Sequence, residues 1–450
     1  MTTPQRKITT PEFWPLYERA IVELMKAGKR RAAKPTRLVS HPLARALKDC
    51  GTAHIYTDTA DQDEMADLLV QKEDAENVYL YEEVDGNTTN QPLIVKVLDR
   101  FLGGDERDNT VAWIKALQKE KPDLTIGEAT VLIYSIINGR LGLEVLDGYA
   151  AGRTWQISLE LHTSLAPDPL ASKRISWCLN QAVPNAFVKV ALTPDHPHSL
   201  LIARDLEKQG IAVNFTATFS ARQIVAATLL ANPHRTNVFL GRLSQGLESE
   251  LLGEQVVLET QRHVTRLRDK FKVKTLNMLA SIRRWQTIDL TAGCDVYTVP
   301  YPVLKDFLTQ TELGPTQIEN RLGADYSDQL ALADNVVEKV GPEKIKQLYQ
   351  VEPEFIEFLV ELRDSAEYAT IDGEGLFKRF DEAGFADFFY APSPSEWREL
   401  RRGKLPDLDS PLTKALPLDT LYTLLAVGDF TNFQDRMDES IRAPIQHLFA

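Results

Sequence analysis

Residues 198–233 read "HSLLIARDLEKQGIAVNFTATFSARQIVAATLLANP". The first thirteen space their apolar side chains along one helical face and stop at Gly210. "IAVNFTA" is a short run rich in β-branched and aromatic residues, which predicts a strand, and "SARQIVAATLLANP" is helical again and closed by Asn-Pro. A helix, strand, helix succession of this kind implies parallel strands joined by helical crossovers. The same alternation continues in both directions. "AHIYTD", "VYLYEEVDG", "TWQISLELHT" and "AFVKVALT" precede it, and "TNVFLG", "TLNMLA" and "DVYTVP" follow it. Eight such strands with intervening helices predict an α/β protein built as a (β/α)8 TIM barrel, over a span from about His54 to Asp328 that is near the usual size of that fold. A doubly wound open sheet is the competing assignment. It is disfavoured because no Gly-rich phosphate loop follows the first strand.

The flanks read differently from the centre. The expected division is an N-terminal helical segment (1–50), the barrel (51–328) and a helical C-terminal region (329–450). In "TPEFWPLYERAIVELMKAG", Phe13, Leu16, Ala20 and Leu24 recur at helical intervals after a Thr cap. The stretch from Pro92 to Tyr149 is long for one helix and predicts two or three. Near the C-terminus, "IDGEGLFKRFDEAGFADFF" and "LPLDTLYTLLAVGDFTNFQ" resemble each other and read as a duplicated helix-turn-helix. The Pro- and charge-rich "APSPSEWRELRRGKLPDLDSP" reads as the linker between them.

Composition narrows the classes of function. Apolar residues make up 43% and charged residues 26% of the 450, as in an ordinary globular enzyme. The formal charge, 51 − 64 = −13, opposes binding to nucleic acid or to an anionic membrane, so an anionic substrate must meet a local basic pocket. The basic cluster "KAGKRRAAKPTR" (Lys26 to Arg37) reads as a helix C-terminus and linker, where cations complement the helix dipole. Cys50, Cys178 and Cys294 are scattered, odd in number and without metal-ligand spacing, which suggests a reducing compartment and no metal site. With no apolar signal core and no run of about eighteen apolar residues, the chain is expected to be cytoplasmic.

"NAFVKVALTP", starting at Asn185, holds the most informative residue. Lys189 interrupts an apolar run of the kind found in strands buried on both faces. Desolvation disfavours its ammonium form and pulls the pKa down from about 10.4, which makes a nucleophilic amine able to condense with a carbonyl. The plain alternative is an edge-strand lysine that snorkels to solvent.

In a barrel of this kind, reactive groups come from the C-terminal ends of several strands and face one mouth. The strand ends carry, in order, Asp58, Asn90, Glu160, Lys189, Asn214 with Thr216, Arg242, and Ser281 with Arg283. Each has an ordinary reading when taken alone. Asp58 could cap a helix, Asn90 could form a turn, Glu160 could be a surface carboxylate, and the two arginines could serve in ion pairs. Together they supply what imine chemistry requires: a desolvated amine, a carboxylate to move protons, polar groups to hold water and sugar hydroxyls, and a cationic rim for a phosphate.

These motifs, "DTAD", "TTN", "LE", "VK…T", "GIAVNFTATFSARQ", "FLGR" and "ASIR" in this order, resemble the transaldolases within the class I aldolase barrels, over roughly Gly51 to Pro300. The resemblance implies that Lys189 forms the Schiff base and that Asp58 is the acid/base at the C–C bond being cut. It further implies that Glu160 and Thr216 position the catalytic water, that Asn90 and Asn214 hold donor hydroxyls, and that Arg242, Ser281 and Arg283 bind phosphate. No cofactor is implied, since the protonated imine is the electron sink. The departures are "KVALT" for the family's "KIPAT", "TTNQPLI" for "TTNPSLI", and "TNVFLGR" for "SPFVGR". The last places Asn237 where the family has a donor-contacting serine, while Phe239 matches the transaldolases and not the fructose-6-phosphate aldolases, which carry tyrosine. The implied activity is transfer of a dihydroxyacetone unit between sugar phosphates, of the pentose phosphate pathway type. An aldolase releasing free dihydroxyacetone, or using an unusual sugar phosphate, and a non-catalytic sugar-phosphate-binding module are the alternatives. Homo-oligomers are common on this barrel, and nothing in the sequence specifies one.

Overall fold

The strands read from the sequence close into a ring. The computed structural model describes residues 14–27, 36–149 and 155–449. Its eight barrel strands are β1 (His54–Asp58), β2 (Val84–Thr88), β3 (Gln156–Glu160), β4 (Ala186–Ala191), β5 (Val213–Thr218), β6 (Arg235–Phe239), β7 (Leu276–Ala280) and β8 (Val296–Pro300). All pair in parallel with their sequence neighbours, and β8 returns to β1 in the register Val296↔His54 to Pro300↔Asp58. Parallel neighbours need outer crossovers, and the opening segment supplies two: His198–Lys208 before β5 and Ala221–Leu230 after it. Ser220 starts the second of these by accepting from the Gln223 N–H.

The N-terminal end of the barrel is plugged by Arg235, 2% exposed, whose guanidinium lies 3.7 Å from the Phe187 ring centroid and 4.6 Å from that of Tyr56. It donates to Gln156 Oε1. Stacking on two rings gives this buried cation an environment that a lysine could not use as well. The strand ends at the opposite pole form an open mouth.

Several expectations are corrected. "VYLYEEVDG" is two strands and not one: Val78–Tyr81 joins Thr36–Val39 and Val70–Glu73 in a small separate sheet, and only Val84–Thr88 enters the barrel. The break falls at Glu82-Glu83, where the buried Glu83 accepts from the His41 N–H (3.0 Å) and the Ser40 hydroxyl. The first fifty residues are therefore not all helical, since Thr36–Val39 is a strand. The helix Trp14–Lys26 forms as expected, but its inner face is Trp14, Tyr17, Ile21 and Met25, one residue on from the expected stripe. Ala20 and Leu24 are only partly buried, and Phe13 lies outside the described residues. The aromatic rings win the inner positions because they bury far more area than alanine. Residues 28–35 of the basic cluster also lie outside the described residues. Between Gln91 and Tyr149 there are four helices, because the first divides at Leu98.

Beyond residue 328 the described chain is helical. The duplicated helix-turn-helix is absent. The first piece is a helix (Gly373–Glu382) followed by a short turn at Ala386–Phe388, but the second lies inside one uninterrupted helix, Leu418–Arg442. The two glycines explain the difference. Gly384 has φ +83° and ends its helix, whereas Gly428 stays helical and lets the Arg401 side chain and the Leu400 carbonyl approach to 3.2 and 3.3 Å of where a Cβ would stand. Nor is 391–411 a mere linker, since Pro394–Leu400 is a helix opened by a Ser393/Glu396 capping box and packed on the last helix.

That last helix crosses the barrel mouth and packs on Gln91–Val97, Ile126–Tyr149 and β5. Asp419 accepts from Arg222 Nε (2.8 Å) and Nη2 (3.0 Å) and from Ser220 (2.6 Å). Thr423 donates to the Ala217 carbonyl (3.0 Å), and Asp438 Oδ1 lies 2.9 Å from His162 Nε2. Among the described residues no helix is long and apolar enough to cross a membrane.

Candidate active site

Parallel register brings the central groups together. Lys189 on β4 stands opposite Glu160 on β3 and Asn214 on β5. Because side chains alternate along a strand, three partners in register present their side chains to the same face, here the barrel interior. Lys189 is 3% exposed, and its Nζ lies 2.6 Å from Glu160 Oε2 and donates to the Thr89 carbonyl at 2.9 Å. Lys189 is thus not a snorkelling edge lysine, and Glu160 is not a surface carboxylate.

Asp58 closes β1 and faces the same space. Its Oδ1 accepts from the Thr88 hydroxyl at 2.7 Å, and Thr88 is hydrogen-bonded in turn to Thr298. The helix cap nearby is Asp61, which leaves Asp58 free of that duty. Asn90 serves twice: its side chain caps Gln91–Val97 by accepting from the Leu93 N–H (3.1 Å), and its Nδ2 reaches Asp58 Oδ2 over a long 3.5 Å. Burial pushes the Asp58 carboxyl up, an effect opposed by Lys189, by the Thr88 hydrogen bond and by Arg283. Glu160 is pushed up for the same reason, again opposed by Lys189. A carboxyl raised in this way gives up its proton less readily than an exposed one, which suits a group that must take a proton and return it.

A cavity of about 230 Å³ opens above Lys189. It is lined by Asp58, Thr88, Asn90, Asn237, Phe239, Arg242, Ser281 and Arg283, and also by Lys96, Lys404 and Phe430. Glu160 faces a smaller cavity of about 60 Å³ on the other side of Lys189, with Phe430 lining both. Asn214 and Thr216 lie deeper. Asn214 Nδ2 donates to Ser158 Oγ (3.0 Å), and Thr216 Oγ1 accepts from Asn237 Nδ2 (3.3 Å); neither lines the cavity, and only Thr216 is bonded to a residue, Asn237, that does.

The rim is cationic and under backbone strain. Ser281 follows β7 with φ +64°, a left-handed conformation costly for a non-glycine residue, and its buried Oγ has no hydrogen-bond partner. Arg283 has no carboxylate within ion-pair distance among the described residues, whereas Arg242 pairs with Asp429 at 2.8 Å. Gly241 lets these two loops meet, since a Cβ there would stand 2.0 Å from the Ser281 carbonyl oxygen. Sequence reading missed Asp429, Phe430 and Lys404, all from the C-terminal region. No local signal marks them, because an aspartate on an amphipathic helix reads as a solvated side chain.

The arrangement can hold a carbonyl compound against an amine between two carboxyls, with an anion at the rim. Among the described residues no group of three or more His, Cys, Asp or Glu side chains is placed to hold a metal ion. Comparison with known proteins agrees with this geometry. The family model for "Transaldolase/Fructose-6-phosphate aldolase" matches residues 55–350. The transaldolase of Actinobacillus pleuropneumoniae serotype 5b is 29% identical over 255 residues, which cover 54% of this chain and 76% of that protein. That of Aeromonas salmonicida is 29% identical over 251 residues (53% and 75%), and that of Chlamydia muridarum 24% over 261 residues (55% and 75%). With two thirds of its length matched by one family model and its strands closed into the corresponding barrel, the chain belongs to the transaldolase/fructose-6-phosphate aldolase family.

Proposed function

We propose that the protein is a transaldolase-type transferase that moves a three-carbon dihydroxyacetone unit from a ketose phosphate to an aldose phosphate, as in the pentose phosphate pathway. The observation that carries this reading is the buried Lys189 amine, 2.6 Å from Glu160, beneath a cavity walled by Asp58 and rimmed by Ser281 and Arg283. Lys189 Nζ adds to the ketose C2 carbonyl, and loss of water from the carbinolamine gives the imine, with Glu160 moving the protons and Thr216 helping to hold the water. Asp58 takes the C4 hydroxyl proton as the C3–C4 bond breaks, and the electron pair of that bond passes into the protonated imine as an enamine. The aldose phosphate leaves. A second aldose phosphate then receives the C3 carbanion equivalent on its C1 carbonyl carbon, and its new hydroxyl takes the proton from Asp58. Hydrolysis of the resulting imine frees the new ketose.

Asn90 binds a donor hydroxyl in this scheme, with Asn214 buried beneath the cavity beside Lys189, Phe239 packs along the chain of the sugar, and Arg242, Ser281 and Arg283 take the phosphate through charge-assisted hydrogen bonds. The division into residues 1–50, 51–328 and 329–450 belongs to the same proposal, with the last part supplying a wall of the cavity.

Asn237 favours a second reading. It lines the cavity where transaldolases resemble one another in carrying serine, so an aldolase releasing free dihydroxyacetone remains the alternative. Borohydride trapping with fructose 6-phosphate, followed by peptide mapping, tests the first reading. The expected result is a reduced three-carbon adduct on Lys189 that is absent in Lys189→Met; full turnover by Lys189→Met would sink it. Transfer to erythrose 4-phosphate, compared with release of free dihydroxyacetone, separates the two enzymes. Tight sugar-phosphate binding without either product would point to a binding module.

A further inference from the structure

Arg242 is gripped from behind by a residue that does not touch the cavity. Its Nη2 donates to Asp429 Oδ2 at 2.8 Å, with both side chains 8% exposed, while Nη1 is buried without a partner. The guanidinium also lies 5.3 Å from the Phe430 ring centroid and 5.9 Å from that of Phe239. Arg242, Phe430 and Lys404 line the cavity, but Asp429 does not. A planar fork with one edge tied to a carboxylate and flanked by two rings has a fixed direction, so its remaining donors point to one place. The carboxylate also offsets the arginine's charge, with Lys404 Nζ a more distant second partner at 3.9 Å. Arg283, without an ion-pair partner among the described residues, is left as the uncompensated guanidinium at the rim.

We propose that Asp429 is a positioning residue, acting through Arg242, that sets the strength of phosphate recognition at the mouth. It fixes the guanidinium at the cavity wall while offsetting its charge, so the site orients a phosphate without holding it tightly. This rests on the sugar-phosphate reading above. A transfer reaction gives the balance a purpose: one aldose phosphate must leave and another enter while the three-carbon unit stays on the enzyme, and an over-tight anion site would trap the first. The closing helix is then part of the reaction site, because it supplies the carboxylate that tempers the arginine.

The test is calorimetric titration of inorganic phosphate into the full chain and into Asp429→Asn and Asp429→Ala, at fixed ionic strength in a phosphate-free buffer. Asparagine keeps an acceptor for Nη2 but removes the charge, so phosphate is expected to bind about tenfold tighter than to the natural chain. Alanine removes the charge and the anchor together, and is expected to bind phosphate several-fold more weakly than the asparagine variant. In turnover, Asp429→Asn should lower KM for the ketose phosphate and lower kcat with it as release slows. Equal phosphate affinity in Asp429→Asn and the natural chain overturns the proposal, and equal affinity in the two variants overturns the positioning part. If Asp429→Ala does not fold, Asp429→Ser, too short to reach Nη2, takes its place in the second comparison. Phosphate binding needs no turnover, so the two readings fail separately: loss of the Lys189 adduct with the expected phosphate shifts removes the catalytic reading only, and an adduct with unchanged phosphate affinity removes this one only.

Discussion

Substitution of Gly241 by alanine isolates the meeting of the two rim loops. The added Cβ would stand 2.0 Å from the Ser281 carbonyl oxygen and 2.8 Å from Arg283 Cγ, where ordinary contact begins at 3.4 Å. The loops must therefore part by 3.4 − 2.0 = 1.4 Å. Arg242 adjoins one side of that gap, and Ser281 and Arg283 form the other, so the displacement falls on the proposed phosphate ligands themselves. Overpacking costs about 1–3 kcal/mol of stability, offset by about 1 kcal/mol because alanine favours the helix Leu240–Gly246 more than glycine does. A misplacement of this size costs roughly 100-fold in rate where the displaced groups orient the reacting substrate. The assay is dihydroxyacetone transfer from fructose 6-phosphate to erythrose 4-phosphate, run beside unphosphorylated fructose as donor, with a thermal melt as control. The expected result is a loss of about 100-fold in kcat/KM for the phosphorylated donor, a smaller loss for fructose, and a melting point within a few degrees of the natural chain. Unchanged KM and kcat for fructose 6-phosphate in a folded Gly241→Ala protein would refute the assignment of these loops to phosphate binding.

Other substitutions test the charges. Burial raises the Asp58 carboxyl, so as pH rises the unfolded chain ionises first, and stability is lost between the ordinary aspartate range and the higher folded value and stays lost above it. Asp58→Asn is therefore expected to be more stable than the natural chain at neutral pH, with the gain vanishing below the ordinary aspartate range in urea unfolding, while C–C cleavage is lost. Asp419 behaves oppositely: Arg222 and Ser220 hold its carboxyl below the ordinary range despite the opposing effect of burial, so its stabilisation is present above that range and lost as pH falls through the lower folded value. Asp419→Ala leaves the Arg222 guanidinium short of its buried partner and should cost about 3–5 kcal/mol at neutral pH, read from urea midpoints. Ser281→Gly relieves a left-handed φ of 64° and is expected to raise stability by about 1 kcal/mol. The lost hydroxyl should raise KM for the phosphorylated donor by about tenfold.

Much of the site was legible before the fold was known, for a reason that lies in strand geometry. Lys189 stood out because a cation interrupted an apolar strand, and the neighbouring strand ends could be matched to it because parallel register is regular. Glu160 and Asn214 do lie opposite Lys189. Asp58 and Asn90 were legible as mouth residues, but the second duty of Asn90 as a helix cap appears only once Gln91–Val97 is seen to start there. "VYLYEEVDG" misled because the pattern of one long strand is also that of two short ones, and the choice depended on whether Thr36–Val39 was present to pair with the first half.

Local sequence sufficed for the periodicity of each element, the parallel barrel and the amine within it, since strand and helix periods are properties of a few consecutive residues. Tertiary structure alone decided that a helix ending at Arg442 would lie across the mouth, that Phe430 would line both cavities, and that Asp429 would seat itself on Arg242 from 187 positions away. A contact at that separation has no local signature. It exists because the chain beyond the barrel wraps back over the strand ends, where burying an apolar helix face also brings a carboxylate to a guanidinium that would otherwise lie buried and unpaired.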